Sequence, residues 1–275
     1  MEQENERSTA LYLAPSFVVM GWLVWQAQWF WRENPELGFG WLAPVLGIVL
    51  FVASWRRRPP VDWRMRWWVL AALVPGVGLL FLVQIYQASM GTNAASTAGL
   101  ALGVLLVAFA NLGIVFGWRG VLSFGMAYVL VLAVLPLPTI VHAPVSGVLR
   151  RMAAVDVEVL NLMGVPAVRC GGGIVVGGAT LNVAGLCRGL GTMQFAAMAS
   201  LFVGWMAFRR WIPTMLLLVG GLVFGVLGYF VCSLRYCMAV NAHGSEAARP
   251  AVWLVWGAVA LGICATAWAV RRGGR

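Results

Sequence analysis

The sequence predicts an all-α polytopic membrane protein of about eight transmembrane helices, with an outward amphipathic helix and a short β-hairpin-like segment. Three observations predict it. Of the 275 residues, 61% are hydrophobic and only 10% charged, against about 25% charged in a soluble globular protein. So much apolar surface cannot be kept from water, and lipid must be the solvent. The apolar residues also gather in runs of about 20, the length that crosses a hydrocarbon core. Finally, the 15 tryptophans suit a membrane–water interface, where indoles concentrate.

The runs fall at residues 11–31, 37–55, 67–90, 95–118, 121–135, 186–208, 212–234 and 252–270. The first follows an acidic start, Glu2-Gln3-Glu4-Asn5-Glu6-Arg7, unlike a cleavable leader, and is long enough to span. The net charge is +10, and every basic residue is an arginine. These charges sit in short loops between apolar runs, which fits a topological role and not nucleic-acid binding. Arg56, Arg57, Arg58, Arg64 and Arg66 follow the second run. Arg119 follows the fourth, Arg209 and Arg210 the sixth, and Arg271, Arg272 and Arg275 the eighth. With eight spans all four groups lie on the cytoplasmic side, as do both termini. Arg32, Arg249 and the stretch 136–185 then face outward.

Residues 1–134 read as N-terminal transmembrane helices, 135–250 as a core with chemistry in it, and 251–275 as a final helix and tail. In the first part Gln84, Asn93 and Asn111 are polar in apolar surroundings and suit interhelical hydrogen bonds or span ends. The core begins at Leu135-Pro136-Leu137-Pro138, where two prolines stop a helix. From Thr139 to Gly164 apolar residues such as Val145, Val148, Met152, Val159 and Met163 recur at helical spacing. Arg150, Arg151, Asp156, Glu158 and Asn161 lie between them, as in a helix resting in the outer interface. Then Ile174-Val175-Val176 and Ala179-Thr180-Leu181-Asn182-Val183 flank Gly177-Gly178, a hairpin pattern.

That hairpin leads into Leu186-Cys187-Arg188-Gly189 at the mouth of the sixth run. Arg235 closes the seventh run, and His243 follows in the expected outward loop. Topology alone therefore gathers a thiol, a guanidinium and an imidazole at one membrane face. A cysteine nucleophile works as its thiolate, which nearby positive charge or imidazole favours. Imidazole can protonate a leaving amine, and arginine can stabilise the oxyanion of a tetrahedral intermediate. Other roles fit the same residues. Arg235 could snorkel at a helix end, His142 is a rival base, and Cys170 could form a disulfide with Cys187. Cys232, Cys237 and Cys264 read as small apolar filler. No CxxC spacing occurs, and neither a metal nor another cofactor is expected.

From Leu135 to about Glu246 the chain resembles the exosortase/archaeosortase family of membrane cysteine transpeptidases. The matching features occur in order: Pro136-Leu137-Pro138 after a span, an amphipathic stretch, a glycine-rich β-like segment, Cys187-Arg188-Gly189 opening a span, Arg235 ending the next, and His243 after it. The resemblance implies Cys187 as nucleophile, Arg235 as stabilising group and His243 as general acid/base. It implies cleavage of carboxy-terminal sorting tails (PEP-CTERM-like) on membrane-tethered exported proteins, by an enzyme of the cytoplasmic (inner) membrane whose site faces outward. Two positions depart from the family pattern. Arg188 stands where a small residue is usual, and Cys232 where Asn often precedes the arginine. With Arg150, Arg151 and Arg169, Arg188 could make the outer site cationic and attract an acidic sorting motif; the same arginines suit lipid phosphate. The alternatives are a non-enzymatic multi-pass transporter, which would carry charges at mid-membrane, and an envelope-assembly protein.

Overall fold

The computed structural model describes residues 2–33, 35–136, 139–170, 173–181, 189–243 and 252–273. These form two compact units, residues 1–139 and 140–275.

The first unit comprises α1 (Glu2–Glu33), a 3₁₀ turn (Pro35–Trp41), α2 (Leu42–Trp55), α3 (Trp67–Met90) and α4 (Ala94–Leu132). A capping box starts α4: the Asn93 side chain accepts from Ser96 N at 2.8 Å, and Ser96 Oγ accepts from Asn93 N at 3.0 Å. The first arm of α4 runs antiparallel to α3. Gly76 meets Leu106 and Val107, Gly103 meets Leu80, and Gly113 meets Trp68. Small residues allow this close approach. Asn111 Nδ2 donates to Ser16 Oγ of α1 at 3.3 Å, the interhelical bond its sequence context suggests.

The sequence predicted two spans where α4 stands. Two helical arms occupy it, meeting at a kink at Gly117 (φ 66°, ψ −163°), a conformation open to glycine. The bend is sharp. Phe116 and Phe124 rings stack at 5.4 Å, although eight residues of straight helix rise about 12 Å. The second arm packs on α2, with Phe124 against Phe51 at 4.8 Å and Ala127 and Val131 against Gly47.

Among the described residues, six helical segments are long and apolar enough to cross a membrane. They are Leu37–Trp55, Trp67–Met90, Ala94–Leu132, Gly191–Phe208, Trp211–Ala242 and Leu254–Arg272. The expected count of about eight is larger: the fourth and fifth runs are the two arms of α4, a single segment here, and the first run lies on α1, outside the six.

The second unit comprises α5 (Thr139–Leu162), strands β1 (Ala167–Cys170), β2 (Gly173–Val176) and β3 (Ala179–Leu181), then α6 (Gly189–Phe208), α7 (Trp211–His243) and α8 (Val252–Gly273). The strands form an antiparallel sheet in the order β1-β2-β3. Gly177 (φ 59°) and Gly178 (φ 80°) make the two-residue turn between β2 and β3, which needs positive φ at both positions. The expected hairpin is therefore present, with β1 added to it.

The end of α5 is set by a Schellman motif. Val165 N bonds Leu160 O at 2.9 Å and Gly164 N bonds Asn161 O at 3.1 Å, with Gly164 at φ 79°. Helices α6 and α7 then pack antiparallel, with Gly204 facing Thr214 and Gly225 facing Ala196. Val259, Ile263 and Ala267 of α8 close this core against Ala196 and Leu217.

Candidate active site

Helix α7 carries two of the three residues expected to do chemistry. It runs without interruption from Trp211 to His243, so His243 ends the helix and does not lie in the loop that the sequence suggested. The physical reason is local: no glycine or proline occurs between Leu234 and His243, and Gly244 is the next breaker. Arg235 is exposed near the end of this helix. Eight residues separate it from His243, a rise of about 12 Å along the axis. The two can flank a bound group from one helix but do not touch through their backbones.

The sheet rests on the same stretch of helix. A Cβ placed on Gly177 would lie 3.7 Å from Asn241 Cα, so the hairpin turn sits between the levels of Arg235 and His243. Strand β3 ends at Leu181, six residues before Cys187. Cys187 and Arg188 lie outside the described residues, as do the side chains of His243, Arg150 and His142. Arg151 on α5 and Arg169 on β1 are both exposed. Cys170 is an exposed free thiol at the end of β1. Cys232 and Cys237 are buried, as expected of filler, whereas Cys264 is exposed. Among the described residues no group of three His, Cys, Asp or Glu is placed to hold a metal ion.

Sequence reasoning placed Asp156 among the polar residues of an interfacial helix. It is instead fully buried, at 0% exposure. The buried stripe of α5 is Ala153, Asp156 and Leu160, a helical spacing of three and four residues that the sequence did contain. Asp156 Oδ2 accepts from Ser233 Oγ of α7 at 2.6 Å. Its Oδ1 is buried without a hydrogen-bond partner among the described residues. Burial raises this carboxyl from the usual carboxylate range to about 6, with the Ser233 bond pulling the other way. Helix α5 is not one of the membrane-crossing segments. The bond therefore ties an element outside them to α7, two residues before Arg235.

No curated protein and no solved structure matches the chain. The family model for the transmembrane exosortase (Exosortase_EpsH) matches residues 31–270. That range takes in the membrane helices of both units, the sheet, and Cys187, Arg235 and His243. The chain, a multi-pass membrane protein, belongs to the transmembrane exosortase family.

Proposed function

We propose that the protein is a membrane-embedded cysteine protease/transpeptidase that cleaves carboxy-terminal sorting tails from exported proteins at the outer face of the cytoplasmic membrane. The observation that carries this reading is the seating of the hairpin turn on Asn241. It brings the strand that leads to Cys187 onto the stretch of α7 bounded by Arg235 and His243. Six extended residues reach about 20 Å, enough to return the thiol to that stretch. Membership of the exosortase family supports the same assignment.

In the proposed reaction the Cys187 thiolate attacks the scissile carbonyl carbon and a tetrahedral intermediate forms. Arg235 donates hydrogen bonds to its oxyanion. Collapse expels the amine, which takes a proton from the His243 imidazolium, and leaves a thioester on Cys187. Water or another nucleophile, deprotonated by His243, then releases the acyl group. Arg235 and His243, about two helical turns apart, serve opposite ends of the breaking amide and need no contact with each other. The substrate is a membrane-tethered protein whose tail helix lies beside the bundle. Arg188, Arg150, Arg151 and Arg169 give the site a cationic rim for an acidic motif.

Co-expression with an exported protein ending in a short motif, an apolar helix and arginines tests the reading. Wild type shortens that protein, while Cys187→Ala, Arg235→Ala and His243→Ala leave it full length. Equal shortening by wild type and Cys187→Ala would sink the mechanism.

A further inference from the structure

Among the described residues the strand order leaves β1 at an edge of the sheet. Along an antiparallel strand, one residue bonds its neighbour strand through N–H and C=O and the next points both groups away. The orientation of β1 is set by Asn161. Its Nδ2 donates to Ala167 O at 3.1 Å, and its Oδ1 accepts from Ala167 N at 3.0 Å. The Asn161 amide thus occupies the outward position of Ala167 as a fourth strand would. Two residues on, Arg169 points its main chain the same way. Its partner across the sheet is Ile174, in a pair that exchanges no main-chain bonds. No described group bonds to the outward N–H or C=O of Arg169. Val168, Arg169 and Cys170 are all exposed.

We propose that the edge at Arg169 binds an extended acidic segment of the protein to be processed, which adds to β1 as an antiparallel strand. This rests on the reading of the chain as a sorting-tail enzyme and assigns the place where the tail's signal is read. The slot is narrow, because Asn161 already fills the neighbouring outward position. Only the residue opposite Arg169 must supply both an N–H and a C=O. The residues on either side of it point their main chain away, so they can lack an N–H, as proline does. Directly opposed side chains in an antiparallel pair lie on one face, where opposite charges attract. The residue opposite Arg169 is therefore Asp or Glu, and the guanidinium can fork its carboxylate. The Pro-Glu-Pro motif that the family resemblance implies for the sorting tail is compatible with this edge. Through the Gly177 turn, the sheet that presents it rests on Asn241 between Arg235 and His243.

The test uses the full chain in lipid nanodiscs and a fluorescent peptide containing Pro-Glu-Pro, read by anisotropy. Wild type and Cys187→Ala bind it alike, since binding needs no thiolate. Arg169→Gln weakens binding roughly tenfold, the scale of one charge-assisted hydrogen bond. Arg169→Glu abolishes it and instead binds a Pro-Lys-Pro peptide. Methylating the glutamate nitrogen weakens binding by a similar factor, and replacing either proline by alanine does not. The proposal is overturned by no binding to wild type, by indifference to the N-methyl group, or by an Arg169→Glu effect confined to phosphatidylglycerol vesicles. Normal processing with peptide binding indifferent to Arg169 removes the edge site and leaves the enzyme. Arg169-dependent binding with no Cys187-dependent processing removes the enzyme and leaves the edge site.

Discussion

Asp156 shows what a single buried carboxylate does to this molecule. Unfolded, it releases its proton near 3.8; folded, it does so near 6. Between those values the folded chain holds a proton that the unfolded chain has lost, so stability falls as pH rises through the window. The full excursion is worth about 3 kcal/mol. Asp156→Asn keeps an acceptor for Ser233 and carries no charge. It is expected to raise the midpoint of thermal unfolding in detergent at pH 7.5 and to flatten its change between pH 4.5 and 7.5. An unaltered pH slope in the Asn variant would count against the buried acid as its source. Cys187, Arg235 and His243 were legible as candidates because the ends of apolar runs and arginine placement assign them to one expected face. Asp156 was written into the same helical pattern, yet a carboxylate in an amphipathic segment reads as solvent-facing. Its partner Ser233 lies 77 residues away, and no local rule connects the two.

At the level of elements, the turn at Gly177-Gly178 is the part most sensitive to one side chain. A β-branched residue at the φ of 80° held by Gly178 costs about 1–3 kcal/mol of backbone strain. Gly178→Val should loosen the hairpin on Asn241 and reduce tail processing at least several-fold. Helix content by circular dichroism and the amount of protein in the membrane should hardly change. Processing at the wild-type rate would mean that the turn does not set the site. This hairpin was legible because Gly-Gly between Val-rich runs admits few other structures. Strand β1 was not separated from it, being four residues long and joined to β2 across Gly171-Gly172. The length of α7 was also missed, since hydropathy falls at Arg235 while helix propensity does not. The break between the fourth and fifth runs, by contrast, was legible: Gly117 leaves helical geometry beside it.

For the whole molecule, composition decided the class and arginine placement the expected sidedness. The arginine-rich loop after α2 is held in place: Asp62 N bonds Val115 O at 2.9 Å, and Arg66 Nη2 pairs with Asp62 Oδ2 at 2.6 Å. With the two arms of α4 each crossing, it is expected on the cytoplasmic side and the hairpin on the outer side. In a background lacking Cys170, Cys187 and Cys264, a membrane-impermeant maleimide should label Gly178→Cys in intact cells. It should label Arg57→Cys only after the membrane is opened. Labelling of Arg57→Cys from outside would reverse the assignment and place the chemistry in the cytoplasm. The number of crossings was less legible than the class, because hydropathy marks apolar length and does not say whether each arm of a bent helix crosses.

The bond between Asp156 and Ser233 also imposes an order of manufacture. A ribosome delivers α5 long before α7, and 77 residues separate the two partners. Until α6 and most of α7 have been threaded into the bilayer, the acid on α5 has nothing to hold. A chain stopped short of Ser233 keeps that charge unclaimed, along with the two α7 groups assigned to the chemistry still unmade. A protein assembled in this order joins α5 to α7 only when its second half is home.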